Sequence, residues 1–196
     1  MILPRDFYGR DTVEVAQDLL GCCLVHPEGR KTTAGIIVET EAYLSGDPAA
    51  HSYIGRTNRN EVLFGPVGHA YVYLIYGMHY CINVVTGEEG SGEAVLVRAL
   101  EPVIGIPVMI GRRGTPTLSR LCSGPGKLTR AMGITRECNG VSFVNGPLQI
   151  RTRENTTGPN PALKPEIVRT TRIGIVKAAD KPLRFYLKGN PNISRK

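Results

Sequence analysis

Ala70-Tyr-Val-Tyr-Leu-Ile-Tyr-Gly-Met-His-Tyr-Cys-Ile-Asn-Val-Val85 holds two apolar and aromatic runs, 70–76 and 80–85, around Tyr76-Gly77-Met78-His79. Tyr71 and Tyr73 alternate with Val72 and Leu74, the period of a strand, and the four residues between the runs read as a hairpin turn with Tyr76 at its tip. Working outward, Cys22 to His26, Ala34 to Ala42 and Ala94 to Leu100 are further strands, bounded by Gly and polar residues. Shorter strands are expected at Val141–Val144, Leu148–Arg151, Arg172–Val176 and Leu183–Leu187. One helix is well marked: Asp11 and Glu14 form its capping pair, Val15, Ala16, Leu19 and Leu20 its apolar face, and Gly21 its end. Glu101–Arg113 reads as helical except for Pro107 inside it, and Lys127–Met132 as a short helix opened by Ser123-Gly-Pro-Gly. Asn155–Pro165, rich in Pro, reads as a surface loop. The sum is an α+β fold, one mixed domain over 1–196, in which helices decorate a strongly curved sheet rather than alternate with parallel strands.

Composition supports a folded chain and narrows its partners. Hydrophobic residues are 41% and charged residues 21% of 196, which argues against a disordered or fibrous protein. No stretch has the ~18 uninterrupted apolar residues of a membrane span, and Met1–Arg10 lacks the apolar core of a signal peptide, so a cytoplasmic protein without membrane contact is expected. The formal charge of +7 suggests a polyanionic partner, and Arg, which outnumbers Lys 17 to 7, suits bidentate contact with phosphate. The five cysteines include the adjacent Cys22 and Cys23 and show no C-x-x-C spacing, so reduced thiols and no metal site are expected.

Several residues could carry chemistry. Ile36-Ile-Val-Glu-Thr-Glu-Ala-Tyr43 runs from an apolar strand straight into acids. In an extended chain Glu39, Glu41 and Tyr43 share one face, the two acid carriers roughly 6.6 Å apart. That spacing fits either a strand end whose acids bind Arg or an acid/base pair, since the carboxyls of inverting glycosidases stand ~6.5–9.5 Å apart. Arg98, in Val95-Leu-Val-Arg-Ala-Leu100, is expected to face a carboxylate, either as a structural ion pair with Glu39 or Glu41 or to position a reactive group. The tyrosines of the hairpin are either core residues with a polar handle or a stacking surface for bases, with Tyr76 as a wedge. Ser123-Gly-Pro-Gly-Lys127 is a turn and cap or a phosphate site, and His51 lies on a loop.

Glu39-Thr-Glu41-Ala-Tyr43, Ala49-Ala-His51-Ser, Tyr71-Val-Tyr73-Leu-Ile-Tyr76-Gly-Met, Asn83, Arg98-Ala-Leu-Glu-Pro102, Gly124-Pro-Gly-Lys-Leu128, Arg172-Ile-Gly174 and Pro182-Leu-Arg-Phe-Tyr186 together resemble, in order and across nearly the whole chain, the 3-methyladenine (alkyladenine) DNA glycosylase family in its compact bacterial-type form. The resemblance implies a curved antiparallel sheet and no cofactor or metal. It also implies excision of alkylated and some deaminated purines, of the 3-methyladenine, 7-methylguanine, hypoxanthine and ethenoadenine class, from double-stranded DNA by base flipping. Glu41 would activate water against the sugar C1′, with Arg98 and the backbone around Ile173 holding that water. Tyr43 would stack on one face of the flipped base and His51 and Tyr73 on the other. Asn83 would exclude the 2-amino group of guanine, Tyr76 would fill the gap in the stack, and Lys127 would touch a phosphate.

A cationic purine is a good leaving group, so one carboxylate suffices and Glu39 is expected to bind Arg or support Glu41. The stretch from Ile36 to Arg98 is free of Lys and holds most of the implied pocket, so a monofunctional enzyme that uses water and leaves an abasic site is expected. A monomer is expected as well. His79, Pro107, Leu63 and Ile173 are the departures that bear on lesion range. Two other classes remain open from sequence: a non-catalytic module stacking on unpaired bases, and a small-molecule N-glycoside hydrolase using Glu39 and Glu41 as acid and base.

Overall fold

In a computed structural model of the chain, residues 1–152 and 166–195 are described. The loop expected at Asn155–Pro165 lies outside the described residues. Two helices open the chain, α1 (Arg5–Tyr8) and α2 (Thr12–Asp18), followed by strands β1 (Cys23–Glu28), β2 (Lys31–Tyr43), β3 (Ala70–Ile75), β4 (His79–Thr86) and β5 (Glu93–Ile104). Helices α3 (Ile106–Arg113), α4 (Leu118–Leu121) and α5 (Pro125–Met132) come next, and strands β6 (Gln149–Arg151), β7 (Ile167–Thr170) and β8 (Arg184–Leu187) close it. The strands pair antiparallel in the order β3-β4-β5-β2-β1-β6, with β8 added to β2 and β7 to β8. The fold is mixed α+β, as expected.

Local chemistry explains the elements. The Asp11 carboxylate accepts from the Val13 and Glu14 N–H groups at 2.9 and 3.0 Å, capping α2, and Val15, Ala16 and Leu19 are fully buried. Pro107 does not interrupt a helix: β5 runs on to Ile104, Gly105 turns the chain at φ 74°, and α3 begins beyond it, placing the proline in the first turn where no N–H is needed. Val141–Val144 and Arg172–Val176 are not strands; the first makes a single bridge between Ser142 and His69, and the second is irregular chain.

The β2–β5 pair decides where the site lies. Ile37, Thr40 and Ala42 face the main core, Thr40 donating to the Ala16 carbonyl at 2.7 Å, whereas Ile36 and Val38 pack on the other side with Ala99 and Ile193. The inward set passes from an odd to an even position between Ile37 and Thr40. Register breaks cause this, because Ile37 pairs with Leu100, Glu39 with Ala99 and Thr40 with Val97, leaving Val38 and Arg98 as extra residues. Bulges of this kind re-aim side chains. Here they turn Glu39 and Glu41 out of the core and toward Arg98.

Candidate active site

One face of the sheet carries the core and the other floors a cavity of about 470 Å³. Alternate residues of three strands line it: Tyr71, Tyr73 and Ile75 of β3, Cys81 and Asn83 of β4, and Ala94, Leu96 and Arg98 of β5. Tyr43 at the end of β2, the loop 48–52 and the loop 173–177 form the walls. The volume falls within the ~300–1,000 Å³ of small-molecule sites.

Glu41 stands behind this wall, fully buried. Its carboxylate accepts from the Ile173 N–H at 2.8 Å and the Tyr43 hydroxyl at 2.9 Å, and pairs with Arg98 at 3.1 Å. Burial pushes the Glu41 carboxyl above its ordinary pKa, against the opposing pull of Arg98 and the two hydrogen bonds. Arg98 is itself penalised by burial, but Glu41 and Glu39 hold its pKa above the usual value. Glu39 is also fully buried and binds Arg98 at 3.1 Å and Arg184 at 2.8 Å. One guanidinium thus pairs with both acids.

His51, Tyr71 and Tyr73 lie together on the cavity. The His51 and Tyr73 ring centroids are 4.4 Å apart, and His51 Nδ1 lies 3.0 Å from the Tyr71 hydroxyl. Burial lowers the His51 pKa, with Arg59 adding to the effect, and burial raises that of Tyr71 to about 12, so neutral rings are favoured here. Asn83 is buried on the floor and donates to the Tyr71 carbonyl at 3.0 Å. Tyr76 lines the cavity mouth at the hairpin tip, 82% exposed with φ 52°. A bulky residue in that region is strained and is normally held there for a reason. Lys127 is not brought to the cavity; it is exposed on the first turn of α5, 3.4 Å from the Ser123 hydroxyl, while its neighbour Pro125 lines the wall.

The sequence model of the methylpurine-DNA glycosylase family matches residues 6–191. The chain belongs to that family. It is 66% identical over 197 residues, 100% of both chains, to a protein of Methanoculleus marisnigri that carries 3-methyladenine DNA glycosylase as a provisional name. Proteins of the same provisional name from Carboxydothermus hydrogenoformans and Francisella tularensis are 52% identical over 196 residues, 100% of both chains, and 49% identical over 185 residues, 94% of both. The resemblance drawn from the motifs is thus confirmed at the level of the family.

In this glycosylase-family chain several residues of the site have contacts to which the motifs assigned no role. Arg172, with its side chain fully buried, pairs with Asp47 at 2.5 Å, donates to the Ala42 carbonyl at 3.1 Å and lies 4.7 Å from the Tyr43 ring centroid. It thereby props Tyr43 and the Ile173 N–H together. Asn60, also buried, donates to the His51 and Gly55 carbonyls at 2.8 and 2.9 Å and accepts from Thr57, shaping the loop that presents His51. Lys177 lines the cavity near Tyr53, on a loop outside the Lys-free stretch 36–98. Cys81, on the floor, has its thiol pKa raised by burial and is no reactive thiolate. No cluster of three or more metal-ligating side chains, and no helix long and apolar enough to cross a membrane, occurs among the described residues.

Proposed function

We propose that the protein is a monofunctional DNA glycosylase, a single domain acting as a monomer, that flips alkylated or deaminated purines out of duplex DNA and hydrolyses their N-glycosidic bond. The observation that carries this reading is the buried Glu41 carboxylate beside an aromatic-walled cavity of purine-accommodating size. A 3-methyladenine, 7-methylguanine, hypoxanthine or ethenoadenine base would enter between Tyr43 and the His51–Tyr73 pair. Cationic members gain ~0.5–2 kcal/mol from such aromatic faces. Asn83 on the floor rejects a 2-amino group on an otherwise normal guanine.

An ionised carboxylate offers about four acceptor positions. Ile173, Tyr43 and Arg98 use three of Glu41's, which leaves one for the nucleophilic water. That water attacks C1′ and yields its proton to Glu41; a cationic base departs with the bonding electron pair, neutralising its own positive charge, whereas a neutral base such as hypoxanthine must gain a proton as it leaves. The desolvated carboxylate is a stronger base than an exposed one. Glu39 is engaged by Arg98, Arg184 and Ser194 and does not line the cavity, so no proton-donor role is assigned to it.

Base release from a duplex carrying one 7-methylguanine tests the reading. Activity is expected to be lost as pH falls, because protonation removes the base, and the midpoint should lie above the ordinary glutamate value since burial raises the Glu41 pKa. Absence of base release at any pH from duplexes with each modified purine would overturn the assignment.

No amine is assigned as nucleophile, so borohydride should trap no covalent enzyme–DNA adduct. A trapped adduct mapped to Lys177, the amine on the cavity wall, would show a Schiff base and a lyase step. Tyr76→Ala should lower the flipped fraction, read by 2-aminopurine fluorescence, about tenfold, while undamaged-duplex affinity changes less than threefold. Equal losses in both would remove the wedge role. Lys127, exposed beside the cavity wall, is assigned to a backbone phosphate. A cytoplasmic, nucleoid-associated location fits this activity.

A further inference from the structure

Glu39 is the buried ionisable group the reaction does not use, yet it is the most heavily bonded acid in the site. Arg98 Nε donates to it at 3.1 Å and Arg184 Nε at 2.8 Å; the Ser194 N–H and hydroxyl donate at 2.6 and 2.8 Å. Three of the four donors meet Glu39 Oε1, and the Ser194 N–H meets Oε2. Two come from one residue, 155 positions away in the chain. The segment that brings it is seated on several sides. Ile193 packs on Ile36, Val38 and Ala99, and the Arg195 carbonyl accepts from Arg184. A Cβ placed at Gly124, the residue before α5, would touch the Ser194 Cβ at 3.9 Å.

The Ser194 hydroxyl also accepts from Arg98 at 3.5 Å. Each guanidinium nitrogen of Arg98 therefore has a distinct partner: Nε faces Glu39, one terminal nitrogen faces Ser194, and the other faces Glu41 at 3.1 Å. A planar fork held at two corners has its third corner aimed. The geometry points to Ser194 as a positioning residue of the active site, which locks Glu39 and the rotation of Arg98 so that one terminal nitrogen of Arg98 is kept at ion-pair distance from Glu41. This rests on the assignment of Glu41 as the base. A purely structural staple would cover the Glu39–Arg184 pair in the same way, but it would not act on Glu41.

The test compares wild type, Ser194→Ala and Ser194→Thr in two measurements. The first is single-turnover base release, with duplex affinity and melting temperature measured alongside. The second is the titration of 13C-labelled glutamate carboxyls in the protein without DNA, with the Glu41 resonance assigned through Glu41→Gln. Ser194→Ala should slow release about tenfold with affinity unchanged within twofold. It should also move the Glu41 titration to higher pH, since a loosened Arg98 opposes the effect of burial less. Ser194→Thr, which keeps the hydroxyl, should restore both. A Ser194→Ala protein that melts lower but releases base at the wild-type rate, or leaves the Glu41 titration unmoved, overturns the proposal. If the titration moves while wild type releases no base from any duplex, the glycosylase reading fails and the positioning role stands.

Discussion

Glu41→Gln should slow base release by about a thousandfold, within the ~10²–10⁴ contributed by a positioned general base. The amide keeps the shape of the side chain and can still accept from the Ile173 N–H, but it cannot take a proton from water. Its NH2 group must also face the Tyr43 hydroxyl, which donates to the native oxygen at 2.9 Å, and the Arg98 guanidinium, which pairs with that oxygen at 3.1 Å. That mismatch should reduce stability by about 1–3 kcal/mol. A melting curve must therefore accompany the rate, so that loss of folded protein is separated from loss of chemistry. Binding to a lesion duplex should survive, because the cavity is lined by Tyr43, His51, Tyr73 and Asn83 rather than by the buried Glu41. Normal release by a folded Glu41→Gln protein would end the proposed mechanism, and loss of binding in step with release would make Glu41 a structural acid.

The second large effect concerns stability and the wall of the cavity. Arg172→Met should destabilise the fold by about 3–5 kcal/mol, because it strands the buried Asp47 carboxylate. At ~2–4 °C per kcal/mol for a chain of this size, the melting temperature should fall by about 6–20 °C. The partner change makes the cause testable. Asp47→Asn in the same chain removes the stranded charge and should recover part of the loss, a coupling that independent sites do not show. The pH dependence has a definite sign. Burial alone would raise the Asp47 pKa, but the hydrogen bond and charge of Arg172 bring it below the ordinary value. The pair therefore contributes fully above the ordinary aspartate range and is lost as pH falls through the lowered value. Wild type should thus keep this contribution in mild acid. Because Arg172 also underlies Tyr43, the double variant should bind lesion DNA more weakly even where it is folded.

Particular residues show how far the sequence could be read. The hairpin around Tyr76 follows from period-two alternation and a Gly beside the turn, and its observed strands, Ala70–Ile75 and His79–Thr86, differ from the expected ones by one residue at the ends. The α2 cap follows from Asp11 in the same local way. Pro107 misled because a proline inside a helical run and one in the first turn look alike until the end of the preceding strand is known. Arg172–Val176 misled because its β-branched residues favour a strand, while a buried ion pair from Arg172 to Asp47 holds the chain in an irregular path.

What the residue order settled unaided was local: strand alternation along β3–β5, the helix cap, the hairpin tip, the excess positive charge, and motifs specific enough to point to a family. What it left open was which of two acids meets the cavity wall and which is tied off. Strict alternation would have placed Ile37, Glu39 and Glu41 on one face, and two register breaks against β5 were needed to keep the isoleucine in the core and turn the acids away from it. The bonds that separate their roles come from Ile173, Arg184 and Ser194, more than 130 residues along the chain from the acids they hold. A carboxylate's character depends on its burial and on the donors around it, and those donors are assembled by packing rather than by proximity in sequence.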